Sequence, residues 1–104
     1  MEETINNSFF ANDKIDSDFA KWMEALNKKG GYGGNDTFVW QAGKKYAKVI
    51  QCLNNHQRCV FAFVDTDGNI YKPDGWKKPS KYIRGHVSND KLPLLSGELY
   101  ATNR

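Results

Sequence analysis

The chain has almost no cysteine: Cys52 and Cys59 are its only two. A disulfide framework is therefore excluded as the source of its stability. Proline is scarce, at 3 residues, and no run approaches the roughly 18 apolar residues of a membrane span. The start, Met-Glu-Glu-Thr-Ile-Asn-Asn, is acidic and polar, the opposite of a secretory leader. Together these absences predict a reduced, soluble domain in a cytosol, away from membranes.

Catalytic patterns are missing too. There is no Ser-His-Asp order, no paired-carboxylate motif and no Walker sequence. Gly30-Gly31-Tyr32-Gly33-Gly34 follows a helical pattern and lacks the Gly-Lys-Ser/Thr ending of a phosphate loop. Cys52, His56, Cys59 and His86 are the only Cys and His residues. Their Cys-x₃-His-x₂-Cys spacing matches no ordinary zinc finger, and both cysteines fall inside apolar runs, where free Cys is a common small hydrophobe. A His56–Cys59 base and nucleophile would need an exposed, activated thiol. The expectation is a protein that is not an enzyme and uses no metal or cofactor.

What the chain does have is aromatic residues, 14 among Phe, Tyr and Trp, in 104 residues. That length makes one domain with one modest core. The formal net charge of +3 hides an asymmetry. Residues 1–43 sum to −3 and residues 44–104 to +6, a split that points to one basic surface.

The pattern along the chain predicts an α+β fold within residues 1–104. Residues 1–12 form an N-terminal arm that docks through Phe9-Phe10. Ile15, Phe19, Trp22, Met23 and Leu26 lie on one helical face, giving a helix over 13–29. Asp13 is its expected N-cap, and Gly30-Gly31 ends it. An antiparallel meander follows over 36–72, with a short strand at 36–41 and turns at Asn54–Gln57 and Thr66–Asn69. The Asp67-Gly68 pair is the strongest hairpin signal in the chain. A first turn centred on Asn55-His56 would set Cys52 opposite Cys59, Ile50 opposite Phe61 and Lys48 opposite Phe63. Both faces of that hairpin are apolar, so both need cover. The helix would supply one cover and residues 73–104, basic and apolar, the other. Within that last segment, Pro79 to Arg84 reads as a short basic helix ended by Gly85.

The candidate site is Lys72, Trp76, Lys77, Lys78, Lys81 and Arg84, a compact basic run with Trp76 and Tyr82 set among the charges. Cations for phosphate and flat rings for stacking are what a nucleic-acid surface needs. The opposing explanation is that Trp76, Tyr82 and Ile83 are core and the lysines incidental. Phe61-Ala62-Phe63-Val64 resembles the centre of the RNP1 strand of RNA-recognition domains. However, Cys59 and Val60 replace the basic residue and glycine that RNP1 requires, so Phe61 and Phe63 read as core.

Ala62-Phe63-Val64-Asp65, Gly68-Asn69-Ile70-Tyr71-Lys72-Pro73, Trp76-Lys77, Pro79, Lys81 and Arg84-Gly85 resemble a pattern in small accessory proteins of tailed bacteriophages and prophages. The resemblance spans roughly residues 44–87 and implies action in the cytosol of an infected bacterium. It implies no catalytic or binding residue. The expected function is therefore non-enzymatic binding of nucleic acid, or of a nucleoprotein complex, through the basic aromatic segment. The alternative is an inhibitor or adaptor that binds a host or anti-phage defence protein. The sequence sets no oligomeric state.

Overall fold

The computed structural model describes residues 9–31, 33–53, 56–89 and 94. Helix α1, Asp13–Lys29, is followed by five strands, β1 Thr37–Ala42, β2 Tyr46–Leu53, β3 His56–Asp65, β4 Asn69–Pro73 and β5 Pro79–His86. The strands form one antiparallel sheet in chain order, a five-stranded meander. This is the α+β arrangement that the sequence predicts, with a corrected end. Residues 79–86 are a strand, not a short basic helix. A six-residue helix forms too few hydrogen bonds to offset its nucleation cost. Tyr82-Ile83 favour a strand, and β4 offers an edge to pair with. Pro79 is tolerated as the first residue of the strand.

The helix is capped one residue earlier than expected. Asn12, not Asp13, accepts the Ile15 N–H at 2.9 Å, and Asp13 and Asp16 sit in the first turn, where their charges suit the dipole. Gly30, at φ 71°, closes the other end by donating its N–H to the Leu26 carbonyl. Phe19, Trp22, Met23 and Leu26 are buried. They meet Phe38, Ala47, Val49, Phe61, Ala62, Val64 and Ile70 of the sheet in one core cluster, joined by Phe10. Phe10 packs on Phe19 with ring centroids 4.6 Å apart and Phe9 packs against the same cluster, while residues 1–8 of the expected arm lie outside the described residues. Leu94 packs against the same cluster. That cluster is the helix-side core, and residues 79–86, expected to help cover the opposite face, instead extend the sheet as β5 with Tyr82 and Ile83 exposed; the rest of the expected cover falls outside the described residues.

Asn27 joins helix to sheet. Its Nδ2 donates to the Phe38 carbonyl at 3.1 Å and its Oδ1 accepts the Phe38 N–H. One side chain thereby satisfies both backbone groups of a residue on edge strand β1, where unpaired groups would otherwise invite another chain.

The β2–β3 register differs from expectation near the turn. Lys48 opposes Phe63, Val49 opposes Ala62 and Ala47 opposes Val64, as the pattern predicts. After a first register shift Ile50 opposes Val60 and Gln51 opposes Cys59, and after a second Cys52 opposes Gln57. The first shift leaves Phe61 as an extra residue in β3. A bulge lets consecutive side chains face the same way, so Phe61 and Ala62 both enter the helix-side core. The correction separates the cysteines. Cys59 pairs with Gln51 on the helix side, and its thiol lies 3.8 Å from Gln51 Oε1. Cys52, one residue along β2, points to the other face. Neither is in a disulfide.

The β3–β4 connection is built around Asp65. Its carboxylate accepts from the backbone N–H groups of Asp67 and Asn69, from Asn69 Nδ2 and from the Tyr71 hydroxyl. Its carbonyl accepts from Gly68 N–H. Gly68 has φ 90°, and a Cβ there would stand 2.9–3.0 Å from Val87, His86 and Ile15, so backbone conformation and crowding both require glycine.

Candidate functional site

Directly opposed residues in a sheet share a face. The pairs Gln41–Lys48, Lys48–Phe63, Phe63–Tyr71 and Tyr71–Ile83 therefore make one row across all five strands, on the face away from α1. Val39, Ile50 and Val60 form the next row. Ile50, Val60 and Phe63 are buried, so this face has an apolar base. Tyr46 stands edge-on to Phe63 and Tyr71, with centroids 6.1 and 5.6 Å away.

Over this base lies a groove of about 470 Å³. The β1–β2 hairpin supplies Gly43, Lys44 and Lys45, β2 supplies Tyr46 and Lys48, β3 supplies Phe63, and the β4–β5 loop supplies Lys77. Its lining carries four lysines and no carboxylate. Trp76, beside Lys77 at the loop tip, is 43% exposed. Lys48 Nζ stands 4.7 Å from its ring centroid, a cation–π contact that ties the loop to β2.

The residues predicted from the basic segment are thus divided. Lys77 lines the groove, and Trp76 stands next to it in the loop, against Lys48. Lys78 is exposed in the same loop, and its carbonyl accepts the Asp74 N–H at 2.7 Å. Lys72 on β4 and Arg84 on β5 are half-buried, and Lys81 is exposed on β5. Lys44, Lys45 and Lys48 were missed. Lys48 was legible through its pairing with Phe63, but nothing local in the sequence brings residue 77 beside residues 44–48.

Among the described residues, Tyr71 has a shifted ionisation. Burial, and then the hydrogen bond it donates to the Asp65 carboxylate, push its phenol up to about 12. It is therefore a neutral donor that fixes the groove's floor to the turn.

A second hollow, about 540 Å³, lies between the start of α1 and the end of β5, lined by Asn12, Asp13, Lys14, Ile15, Asp18, His86 and Ser88. Its polar groups already have structural work. Asn12 caps the helix, and Lys14 pairs with Asp18 at 3.0 Å. His86 Nδ1 accepts the Ser88 N–H at 3.1 Å, and Nε2 faces the Asp67 carbonyl at 2.6 Å. Among the described residues no cluster of three or more His, Cys, Asp or Glu is placed to hold a metal, and no helix is long and apolar enough to cross a membrane.

The sequence matches a family of unknown function, DUF7717, over residues 4–96. The chain belongs to that family. No curated protein and no solved structure matches it. The DUF7717 match takes in α1, all five strands and the groove, so the groove lies within the family's domain.

Proposed function

We propose that this DUF7717 protein binds nucleic acid through the groove on the sheet face away from α1, without catalysing a reaction. The observation that carries this reading is the convergence of Lys44, Lys45, Lys48 and Lys77 on one groove whose lining holds no carboxylate. Like charges gathered this way repel, which gives the fold nothing; a polyanion turns the repulsion into attraction. The aromatic floor and Trp76 add flat surfaces beside the cations, the combination that nucleic acid uses. The resemblance to small phage proteins would place this activity in the cytosol of an infected bacterium.

The test is binding of fluorescently labelled DNA and RNA at low salt, followed by titration with salt. Binding that weakens steeply with salt supports the reading; no binding to any nucleic acid at low salt defeats it.

One observation favours a protein partner instead. On outer strand β5, Tyr82 and Ile83 are 67% and 54% exposed, with Lys81 and Arg84 on either side. Exposed apolar side chains on a sheet edge, flanked by charge, suit protein contact. An inhibitor or adaptor acting on a host or defence protein would use that edge, and Tyr82→Ser with Ile83→Ser would abolish its binding while leaving the groove's intact.

A further inference from the structure

We infer that the groove's ligand is single-stranded nucleic acid, with a base stacked on Trp76 and the adjoining phosphates held by Lys48 and Lys77. This rests on the nucleic-acid reading above and adds the strand state.

The first observation is the tryptophan itself. Trp76 stands at the tip of the β4–β5 loop, not in the core cluster, and leaves 43% of its surface in water. Lys48 lies over one face of its ring. A large ring held in the open by a cation, beside lysine-lined space, is an unsatisfied stacking platform. Every base has a π-face, so such a platform selects unstacked bases over particular sequences. In a duplex those faces are already occupied by neighbouring base pairs.

The second observation is shape. A groove of about 470 Å³ falls within the roughly 300–1,000 Å³ typical of sites that enclose a small molecule. It admits a nucleotide rather than a rod. Reading a duplex takes a protruding element, usually a helix laid in the major groove. The one helix among the described residues lies against the opposite face of the sheet, with Asp13 and Asp16 in its first turn. Packed there, it is not placed to enter a duplex held at the groove.

The third observation is how the lysines are spaced. Lys44 and Lys45 come from the β1–β2 hairpin, Lys48 from β2 and Lys77 from the β4–β5 loop, so the cations reach the groove from both of these connections. A strand running between these connections would meet cations on both, while its base reaches Trp76 beside Lys77. Phe63 is buried, so it supports the floor and does not itself stack.

The experiment compares a labelled oligothymidine of about 12 nucleotides, within the span of known single-strand sites, with a duplex of the same length. Fluorescence anisotropy reads affinity, and tryptophan emission reads stacking. The expected result is single-strand binding tighter by about 5- to 150-fold, the equivalent of one stacked base. Tryptophan emission should be quenched in step with the anisotropy. Trp76→Ala should lose the same factor on the single strand and little on the duplex, while Trp76→Phe should keep most of the affinity and lose the quench. Because the wild-type quench needs no variant, the test survives any folding defect. Equal affinity for duplex, or binding without quench, would overturn the single-strand assignment and leave the nucleic-acid reading standing. Binding to neither would defeat both.

Discussion

The two faces of the sheet use tryptophan in opposite ways. On the helix side, Trp22 is fully buried, stands 6.0 Å from Phe19 and 6.1 Å from Phe61 between ring centroids, and holds α1 to β3. On the other side, Trp76 sits in the open with Lys48 over its ring. The charges differ as well: α1 balances Asp13, Asp16, Asp18 and Glu24 against Lys14, Lys21, Lys28 and Lys29, whereas the groove lining carries Lys44, Lys45, Lys48 and Lys77 and no carboxylate. Both faces bury apolar side chains, Trp22 and its neighbours on one and Ile50, Val60 and Phe63 on the other, but only the second carries the lysine-lined groove. Aromatic content alone does not distinguish them, because what matters is whether a ring's neighbours are apolar or cationic.

The largest effect expected from this contrast is at Trp22. Trp22→Ala removes a ring that touches helix and sheet together, and should destabilise the fold by about 3–5 kcal/mol. Chemical denaturation would measure it, and a loss below about 1 kcal/mol would mean that α1 does not hold the sheet by this residue.

Next comes Asn27→Ala. It removes the acceptor for Phe38 N–H and the donor to the Phe38 carbonyl, leaving an edge residue without its partners. The expected cost is about 1–3 kcal/mol. Amide exchange at Phe38 should quicken before exchange in β2 or β3. Equal quickening in all three strands would show that Asn27 acts on the whole core instead.

Alkaline titration sharpens the comparison on the groove side. Tyr71 has a raised folded pKa, about 12, against roughly 10 in an unfolded chain. The neutral phenol is the form that the fold favours. Its contribution to stability is fully present below about pH 10 and is lost as pH rises from about 10 to 12. Phenolate absorbance should therefore show one late-ionising tyrosine that disappears in Tyr71→Phe. If the late component persists in that variant, the Tyr71–Asp65 hydrogen bond is not its origin.

The smallest stability effect belongs to Trp76. Trp76→Ala loses only an exposed cation–π contact, about 0.5–1 kcal/mol. A loss as large as that of Trp22→Ala would make Trp76 a packing residue and erase the contrast between the faces.

Much of the fold was legible because its signals are local or periodic. The spacing of Phe19, Trp22, Met23 and Leu26 fixes the helix and its buried face. Asp67-Gly68 fixes the turn, and the alternation in residues 45–65 fixes the central hairpin. The failures were non-local or finely balanced. Pro79 to Arg84 carries helix-start chemistry, yet an available edge on β4 draws it into a strand. The bulge at Phe61 answers to packing under Trp22, which no count from the turn reveals. The candidate site was half legible for the same reason. A run of lysines at 77–78 is visible, but its meeting with Lys44, Lys45 and Lys48 depends on how far β4–β5 curls over the sheet. The residues that carry the phage-like pattern mostly serve the fold: Phe63, Val64 and Ile70 are buried, Asp65 organises the turn, and Gly68 requires its left-handed backbone. That pattern therefore reports architecture more than contact.

The most direct test of the central claim is the salt dependence of nucleic-acid affinity in the wild-type protein and in the triple variant Lys44→Ala, Lys48→Ala, Lys77→Ala. Each neutralised phosphate contributes about 0.7–0.9 to the log–log slope. Four groove lysines then give a wild-type slope of roughly −3 to −4, and the variant should lose about 2–3 of it while folding normally. A slope unchanged by the three substitutions, with binding retained, would place the contact surface elsewhere and contradict the assignment of the groove.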